Sequence, residues 1–270
     1  MNMIVLKIGG DIFKRGLNEN LSNDIRKVLE DEKLVIVHGG GDEVTEIAEK
    51  LGKKQIFVTS PDGLRSRYTD EETVEIYTMV MAGRINKAIV RWLISQGISA
   101  VGLSGIDGAL IMANRKKKLI IVDERGRKRI IDGGFTGKIC RVNPQLLKIL
   151  INQGYVPVVS PVAIGEEKEY LNVDSDRAAG QIAGALKADK IVFLTDVSGV
   201  LLGKEYIKRI SLSSAKEILP KIGSGMDKKI IASIEALEAG VKEAIIACGL
   251  IESPIVSALN GLNGTVITPE

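Results

Sequence analysis

Short apolar runs alternate with longer amphipathic segments along most of the chain. The short runs are rich in valine and isoleucine and close at Gly, Ser, Thr or Asp, which is typical of buried strands. The predicted strands are 3–8, 33–38, 99–104, 155–160, 190–197, 243–249 and 264–268. The amphipathic segments predict helices over 21–31, 42–51, 70–96, 143–153, 174–186, 213–219 and 226–239. Strands that alternate with helices imply right-handed βαβ crossovers and a mostly parallel α/β sheet covered by helices on both faces.

The segment around residues 110–141 departs from this alternation. Its apolar runs are separated by basic turns and have no helical period. We therefore expect a β-hairpin or a small antiparallel patch inserted into the parallel core. No repeat, low-complexity tract or linker interrupts the sequence, so the pattern predicts one compact unit over residues 1–270.

Composition narrows the classes of function. A net charge of +3 and an aromatic content of 4% disfavour nucleic-acid binding. No apolar run is long enough to span a membrane and the N-terminus lacks a signal-peptide pattern, so we expect a cytoplasmic protein without membrane contact. Cys140 and Cys248 are far apart and lack metal-ligand spacing. We expect two buried, unreactive thiols.

The ends of the predicted strands carry the candidate chemistry, because ligands of open parallel sheets gather beyond the carboxyl ends of the strands. The first strand ends at Lys7, Gly9 and Gly10, and the second ends at His38 before a glycine triplet at 39–41. Glycine turns let backbone N–H groups approach an anion closely. Walker A, GxGxxG and protein-kinase motifs are missing from the sequence, which disfavours P-loop enzymes, dehydrogenases and protein kinases.

Polar residues elsewhere complete a candidate set for phosphoryl transfer to a carboxylate. Lys7 and Lys229 lie beside glycine turns, Asp176 could orient them, and Arg65 and Asn172 suit a carboxylate substrate. An ionised carboxylate needs no base. The barrier lies in bringing anions together, which fixed cations and backbone donors address directly.

Each of these residues also has a structural interpretation when taken alone. Asp174 is a good helix-start residue, and lysines on a helix are usually solvated. His38 is the only histidine in the chain, and we interpret it as a structural residue that hydrogen-bonds its loop.

Six motifs in order resemble the amino acid kinase family, and most closely its acetylglutamate-kinase-like branch. They are "KIGG", "HGGG", "GLR…TD", "N-x-D-x-D-x-A-A", "LTDVSGV" and "GSGM-x-x-K", and the resemblance covers essentially the whole chain. It implies a three-layer αβα sandwich around an eight-stranded, mainly parallel sheet, as in carbamate-kinase-like folds. It also implies an N-terminal substrate lobe over about 1–165 and a C-terminal ATP lobe over about 166–270.

The resemblance implies roles for particular residues. The catalytic residues would be Lys7 and Lys229, which stabilise the phosphoryl group, and Asp176, which holds both lysines. The substrate would be bound by Gly40, Gly41, Arg65 and Asn172. ATP would be bound by Gly9, Gly10, Thr195, Asp196, Val197, Ser198, Gly199, Gly223, Gly225 and Met226. The family's spacing favours Lys229 over the adjacent Lys228, and Mg²⁺ would be held mainly by the nucleotide rather than by a protein metal site.

Two acceptors fit the resemblance. One is α-aminoadipate or glutamate held on an acidic amino-group carrier protein of the LysW type, in lysine or arginine biosynthesis. The other is free N-acetylglutamate in arginine biosynthesis. The extra "SRY" after "GLR" and the run "MAGRINK" look like the carrier-protein branch. A non-catalytic nucleotide or amino-acid sensor on the same fold is a third alternative, which the presence of both lysines and Asp176 disfavours.

A basic rim would suit an acidic carrier. Its expected members are Arg65, Arg67, Arg84, Lys87 and the hairpin bases at 115–118 and 125–129, although solvated surface charges remain an alternative for the hairpin. The helix that some family hexamers add at the N-terminus is missing before the first strand, so we expect a homodimer.

Overall fold

A computed structural model describes residues 2–15, 17–223 and 225–270. The strands are β1 Met3–Ile8, β2 Lys33–His38, β3 Ile56–Thr59, β4 Arg65–Tyr68, β5 Ala100–Ser104, β6 Ile111–Arg115, β7 Lys118–Val122, β8 Lys128–Asp132, β9 Gly137–Val142, β10 Val156–Ser160, β11 Val162–Ile164, β12 Tyr170–Asn172, β13 Lys190–Thr195, β14 Leu201–Leu202, β15 Glu205–Tyr206, β16 Arg209–Ser211, β17 Glu243–Cys248 and β18 Thr265–Thr268.

The α-helices are α1 Gly10–Lys14, α2 Glu19–Asp31, α3 Gly41–Lys50, α4 Glu71–Thr78, α5 Asn86–Ser95, α6 Gln145–Asn152, α7 Ser175–Leu186, α8 Leu212–Ile218, α9 Met226–Glu238 and α10 Pro254–Leu259. A π-helical segment, Met79–Ile85, joins α4 to α5. Short 3₁₀ turns occur at Asp107–Ala109 and Leu219–Lys221. No helix in these described ranges is long and apolar enough to cross a membrane.

An eight-stranded sheet in the order β16-β18-β17-β13-β1-β2-β10-β5 forms the centre of the molecule. Neighbouring strands of this sheet are parallel, except β17 and β18, which are antiparallel. β1 lies between β13 and β2, and Lys7 is in register with Phe193 on one side and Val37 on the other. The first two predicted glycine turns therefore leave adjacent central strands at the same edge.

Helices cover both faces of this sheet because its strands are apolar on both sides. Alternation along β1 sends Val5 to one face and Leu6 to the other. The Val5 face packs against α6, α7, α8 and α9, and the Leu6 face packs against α2, α3, α4, α5 and α10. The prediction of a three-layer αβα sandwich with an eight-stranded, mainly parallel sheet is confirmed.

The predicted antiparallel patch around residues 110–141 is also present. β6 pairs antiparallel with β9 and belongs to a smaller sheet in the order β12-β11-β6-β9, while β7 and β8 form a separate hairpin. Gly133 and Gly134 close the base of this insertion. A Cβ at Gly134 would overlap the carbonyl oxygen of Thr69, so the base of the insertion packs directly on the end of β4.

Several predicted features differ from the structure. The sequence did not predict the eighth strand, β16, because three residues are too short to show a periodic pattern. The predicted helix 70–96 contains the π-helical segment, which no pattern indicated. The prediction that both thiols are buried was wrong for Cys140, which is exposed on β9, whereas Cys248 is buried.

Candidate active site

Two lysines and one aspartate meet near the carboxyl end of β1. Lys7 Nζ lies 2.7 Å from Asp176 Oδ1, and Lys229 Nζ lies 3.3 Å from Asp176 Oδ2. Lys7 is 4% and Asp176 is 5% exposed. Burial alone would raise the pKa of Asp176, but the charges and hydrogen bonds of Lys7 and Lys229 outweigh it and lower that pKa below its usual value. The carboxylate is therefore ionised and bridges two ammonium groups.

Helix starts place the Asp176 and Lys229 side chains. Asp174 caps α7: its Oδ1 accepts hydrogen bonds from the backbone N–H groups of Asp176 and Arg177, at 3.0 and 3.1 Å. This fixes Asp176 in the first turn, on the side that faces β1. Lys228 points to a different carboxylate and lies 3.6 Å from Asp174 Oδ2. The structure thus brings Lys229, and not Lys228, to Asp176.

The two glycine turns approach each other so closely that a side chain at Gly10 would require the neighbouring backbone to shift. A Cβ at Gly10 would lie 3.3 Å from the backbone nitrogen of Gly40, and a Cβ at Gly39 would lie 3.6 Å from Lys7 Nζ. The Gly9 N–H donates to Leu194 at 3.1 Å, so it is not free to bind a phosphate. The Gly10 N–H opens α1, where a helix has no internal acceptor for it.

A cavity of about 480 Å³ opens on the Gly39–Gly41 side of the lysine pair. It brings together all four residues that the sequence assigned to the substrate. Its lining includes Gly40, Gly41, Arg65, Asn172, Tyr77, Met81, Asp174, Ser175 and Lys228. Tyr77 donates its hydroxyl to the carbonyl of Pro161 at 2.9 Å, and burial raises its pKa, so it is a neutral wall of this cavity.

A second cavity of about 440 Å³ opens on the other side. It brings together most of the residues that the sequence assigned to the nucleotide. Its lining includes Thr195, Asp196, Val197, Gly199, Gly223, Gly225, Met226 and Lys229, together with Asp11, Leu201 and Tyr206. Ser198 is exposed on the same turn and does not line the cavity. Gly225 borders both cavities, so the lysine pair lies near the boundary between them.

Of the basic rim expected around the substrate loop, Arg65, Arg84 and Lys87 are exposed, whereas Arg67 is not. Arg67 is only 8% exposed. Its guanidinium donates to Gly41 at 2.6 Å, to Thr45 at 2.9 Å and to Gln55. Arg84 pairs with a carboxylate of α3, and Lys87 donates to the carbonyl of Gly102 at 3.0 Å.

Arg65 is exposed on β4, and its guanidinium lies over the Phe57 ring at 4.5 Å from the ring centre. The Arg67 guanidinium lies 5.0 Å from the same ring centre. Interpreting Arg67 as a surface charge was therefore wrong: it is buried, lines the acceptor cavity and donates to the glycine turn.

His38 is buried and contacts the glycine turn at 39–41. Its Nδ1 lies 3.0 Å from the carbonyl oxygen of Gly39, and its Nε2 lies 3.3 Å from the Asn86 amide. Burial lowers the pKa of His38 to about 4, with smaller contributions from the charges of Lys7 and Lys87. A neutral, fully enclosed imidazole is a structural residue, as the sequence indicated.

Sequence reasoning missed several residues of the site. Met81 and Tyr77 were assigned only to a helix face, and Ser175 and Asp11 stood beside motif residues without a distinguishing pattern. The one available signal was the alternation of Arg65 and Arg67 along β4, because i and i+2 residues of a strand share a face. Phe57 of β3 pairs with Arg67 across the hairpin.

The arrangement suits the transfer of an anion between two cavities. Two fixed cations and the Gly10 N–H converge where the cavities meet, and ionised Asp176 keeps the lysines in place. Preorganised cations and backbone donors of this kind stabilise charge that develops during phosphoryl transfer.

Comparisons with known proteins agree with this geometry. A protein of Nitrosopumilus maritimus is 55% identical over 99% of this chain and 100% of its own length. A protein of Metallosphaera sedula, named LysW-aminoadipate/LysW-glutamate kinase, is 48% identical over 98% of this chain and 100% of its own length.

Solved structures share the fold. Streptococcus mutans smu.665 superposes with a TM-score of 0.80 at 24% identity over 99% of both chains. Giardia lamblia carbamate kinase bound to AMP-PNP has a TM-score of 0.68 at 17% identity, over 99% of this chain and 98% of its own.

The profile of the amino acid kinase family matches residues 2–248, which include the lysine pair, both glycine turns and the residues of both cavities. Sequence, fold and site geometry agree, and the chain belongs to the amino acid kinase family.

Proposed function

We propose that this protein transfers the γ-phosphoryl group of ATP to the side-chain carboxylate of α-aminoadipate or glutamate held on a LysW-type carrier protein. The product would be an acyl phosphate, formed in lysine or arginine biosynthesis in the cytoplasm. The observation that carries the proposal is the Lys7–Asp176–Lys229 set at the boundary of two cavities. The relatives' names supply the acceptor class.

The reaction forms one bond and breaks one. A carboxylate oxygen of the acceptor bonds to the γ-phosphorus while the bond from that phosphorus to the bridging oxygen of ADP breaks, and no proton moves. Lys7, Lys229 and the Gly10 N–H would neutralise charge on the transferring group. Mg²⁺ would supply further neutralisation and would be held mainly by the phosphates of the nucleotide, as is common for this ion.

The two cavities receive separate substrates in this proposal. Arg65, Asn172, Gly40 and Gly41 would bind the acceptor in the first cavity. The turns around Thr195 and Gly225 would bind ATP in the second cavity. We also propose an acceptor lobe over about 1–165 and an ATP lobe over about 166–270, with Asn172 of the second lobe completing the acceptor cavity.

The inserted β7–β8 hairpin would steer the acidic carrier to the site. Lys117, Lys118, Arg125 and Lys128 are exposed, and within the described residues none has a carboxylate oxygen within 4.0 Å. Arg127 and Arg129 are instead paired with Asp123, at 3.2 and 2.8 Å. Free cations of the hairpin therefore offer the complementary charge that an acidic partner needs.

A third cavity, of about 270 Å³, connects this hairpin to the acceptor cavity. Leu119, Ile121, Lys116 and Lys138 line it, and Arg65 belongs to both linings. An acidic polypeptide tail suits this cavity, because several cations and apolar side chains line it.

We also propose a homodimer that buries the free edge of the large sheet. Among the described residues β5 pairs only with β10, so its other backbone edge has no partner strand there, and it carries no charged residue. Met79 and Ile94 on the adjoining helix are 59% and 57% exposed. Light scattering on the eluting protein should give twice 29.1 kDa, and a monomer at micromolar concentration would contradict the proposal.

The decisive experiment measures ATP consumption with three acceptors: carrier-linked aminoadipate, carrier-linked glutamate and free N-acetylglutamate. Hydroxylamine traps the acyl phosphate as a hydroxamate. Turnover restricted to the linked acceptors is the expected result. Efficient turnover of free N-acetylglutamate would overturn the carrier assignment, and no turnover with any acceptor would favour a sensor.

A further inference from the structure

Thr69 is a fully buried polar residue at the point where β4 leads into α4. It lies outside the linings of both substrate cavities and touches none of the lysines. Its hydroxyl, however, lies 3.0 Å from the side-chain nitrogen of Asn172, and its carbonyl oxygen accepts a hydrogen bond from the backbone N–H of Phe135 at 2.6 Å. Thr69 thus joins three segments that are far apart in sequence.

The hydrogen bonds of Thr69 define which way the Asn172 carboxamide faces. The Thr69 hydroxyl donates its single proton to the carbonyl of Arg67, at 3.3 Å. The same oxygen can then only accept from Asn172, so the atom facing it must be Nδ2 and not Oδ1. Asn172 Oδ1 accepts no hydrogen bond from the part of the chain that the structure describes, and Asn172 lines the acceptor cavity.

The backbone of Asn172 is held by the same assembly. Its N–H donates to the carbonyl of Phe135 at 2.9 Å, and Asn172 bridges to Thr136. Both the main chain and the side chain of Asn172 are therefore fixed from the side of Thr69 and the base of the insertion. Such preorganisation saves the conformational entropy that a mobile amide would lose on binding.

We infer that Thr69 is the positioning residue for Asn172, which it holds with Oδ1 turned towards the acceptor. This rests on the proposed function, in which the acceptor's amine is acylated and presents one amide N–H. Asn172 Oδ1 is a suitable acceptor for that N–H. Without Thr69 the carboxamide can rotate and turn Nδ2 towards the acceptor. Nδ2 and the amide N–H are both hydrogen-bond donors, so they could not form a hydrogen bond.

The test compares Thr69→Val, which removes the hydroxyl at nearly constant volume, with Thr69→Ser, which retains it. Thr69→Val should raise the KM for the acceptor about five- to tenfold, the loss expected for one hydrogen bond. Its kcat and its KM for ATP should stay within about twofold of wild type, since Thr69 touches neither ATP nor the transferred group. Thr69→Ser should restore the acceptor KM, and circular dichroism should verify that both variants fold.

A double-mutant cycle separates positioning from a merely structural role. If Thr69 acts through Asn172, then Thr69→Val should add nothing to the acceptor KM of Asn172→Ala. An undiminished effect in that background, or an unchanged acceptor KM in Thr69→Val, would overturn the inference.

A second measurement does not depend on the acceptor. The two Nδ2 proton signals of Asn172 in a ¹⁵N spectrum, assigned by their loss in Asn172→Ala, should shift and exchange faster with solvent in Thr69→Val. Unchanged signals would overturn the inference even if the wild-type protein turned over none of the proposed acceptors. That absence of turnover would count against the proposed function alone.

Discussion

Two adjacent lysines at the start of α9 differ in their partners and therefore in their expected roles. Lys229 reaches Asp176 at 3.3 Å, whereas Lys228 lies 3.6 Å from Asp174. We predict that Lys229→Met lowers kcat by about a hundredfold or more, the usual loss of one preorganised cation. Lys228→Met, the matched control, should change kcat by less than about tenfold. Steady-state kinetics with saturating ATP checks both, and the reverse order of effects would contradict the assignment of Lys229.

The lowered pKa of His38 predicts how the free energy of unfolding depends on pH. Its pKa is lowered from 6.5 to about 4 by burial, so the unfolded chain binds more protons than the folded chain between these values. The stabilisation is fully present above about pH 6.5 and is lost as the pH falls towards 4. The free energy of unfolding should therefore be about 2 kcal/mol lower at pH 5 than at pH 7.

Urea unfolding at pH 7 and pH 5 measures this loss, and His38→Gln is the control because it cannot titrate. The wild type should lose about 2 kcal/mol more than the variant between these conditions. Equal losses in the two proteins would mean that His38 is accessible to protons in the folded state.

At the residue scale, the sequence indicated residues that stand beside glycine or at helix starts. Lys7 and Asp176 have such neighbours, and the requirement for close backbone approach made their turns recognisable. Neither kind of position indicated the roles of Arg67 and Thr69. Their roles come from contacts with Gly41 and Asn172, which are separated from them by 26 and 103 residues, and no local pattern reports such contacts.

At the scale of elements, the π-helical segment shapes the acceptor cavity. Met81 lies on this segment beside the glycine turn, and a Cβ at Gly40 would lie 3.2 Å from its sulfur. Arg65 and Asn172 lie in the same cavity lining. If they bind the α-carboxylate end of the acceptor, Met81 limits the length of the side chain that reaches the lysines. A methionine wall is unbranched and adaptable, which suits acceptors that differ by one methylene.

We predict that Met81→Ala favours the longer acceptor. Extra room near Gly40 should raise the ratio of kcat/KM for carrier-linked aminoadipate over carrier-linked glutamate by about tenfold, the usual discrimination for one methylene. Met81→Leu, which nearly conserves volume, should leave the ratio within about threefold of wild type. A ratio that does not change in Met81→Ala would remove Met81 from the determinants of chain length.

Longer and more deeply buried elements were predicted more accurately from the sequence than short, exposed ones. Apolar strands such as β1 and β2 were predicted with their observed bounds, because every position but the first is buried. The β3–β4 hairpin was not predicted, since half of its strand residues are exposed and its alternation is short. The π-helical segment has the composition of an ordinary helix, and it packs against Gly40 and β5, which are distant in sequence.

At the scale of the whole molecule, the alternation of strands and helices predicted the layers but not the order of the strands. β13 lies beside β1 although 181 residues separate Ile8 from Lys190, and this pairing brings the Thr195 turn next to Lys7. Both substrate cavities depend on such long-range neighbours. The motif resemblance could assign residues to each cavity, whereas the periodicity alone could not say that the two cavities meet.

The charge distribution of the molecule yields a last prediction. An acidic carrier that is steered by the β7–β8 hairpin should show a kcat/KM that falls as salt rises, because exposed charges are screened within about 8 Å at 0.15 M ionic strength. Replacing Lys117, Lys118 and Lys128 by Gln should lower kcat/KM for the carrier-linked acceptor by about tenfold at low salt and flatten its salt dependence. The ATP KM should not change.

The control is a triple variant that removes the same net charge away from the hairpin. It replaces Lys27, Lys148 and Lys187, which are also exposed and lie on α2, α6 and the end of α7. Equal effects of the two triple variants would show that total charge, and not the hairpin, attracts the carrier.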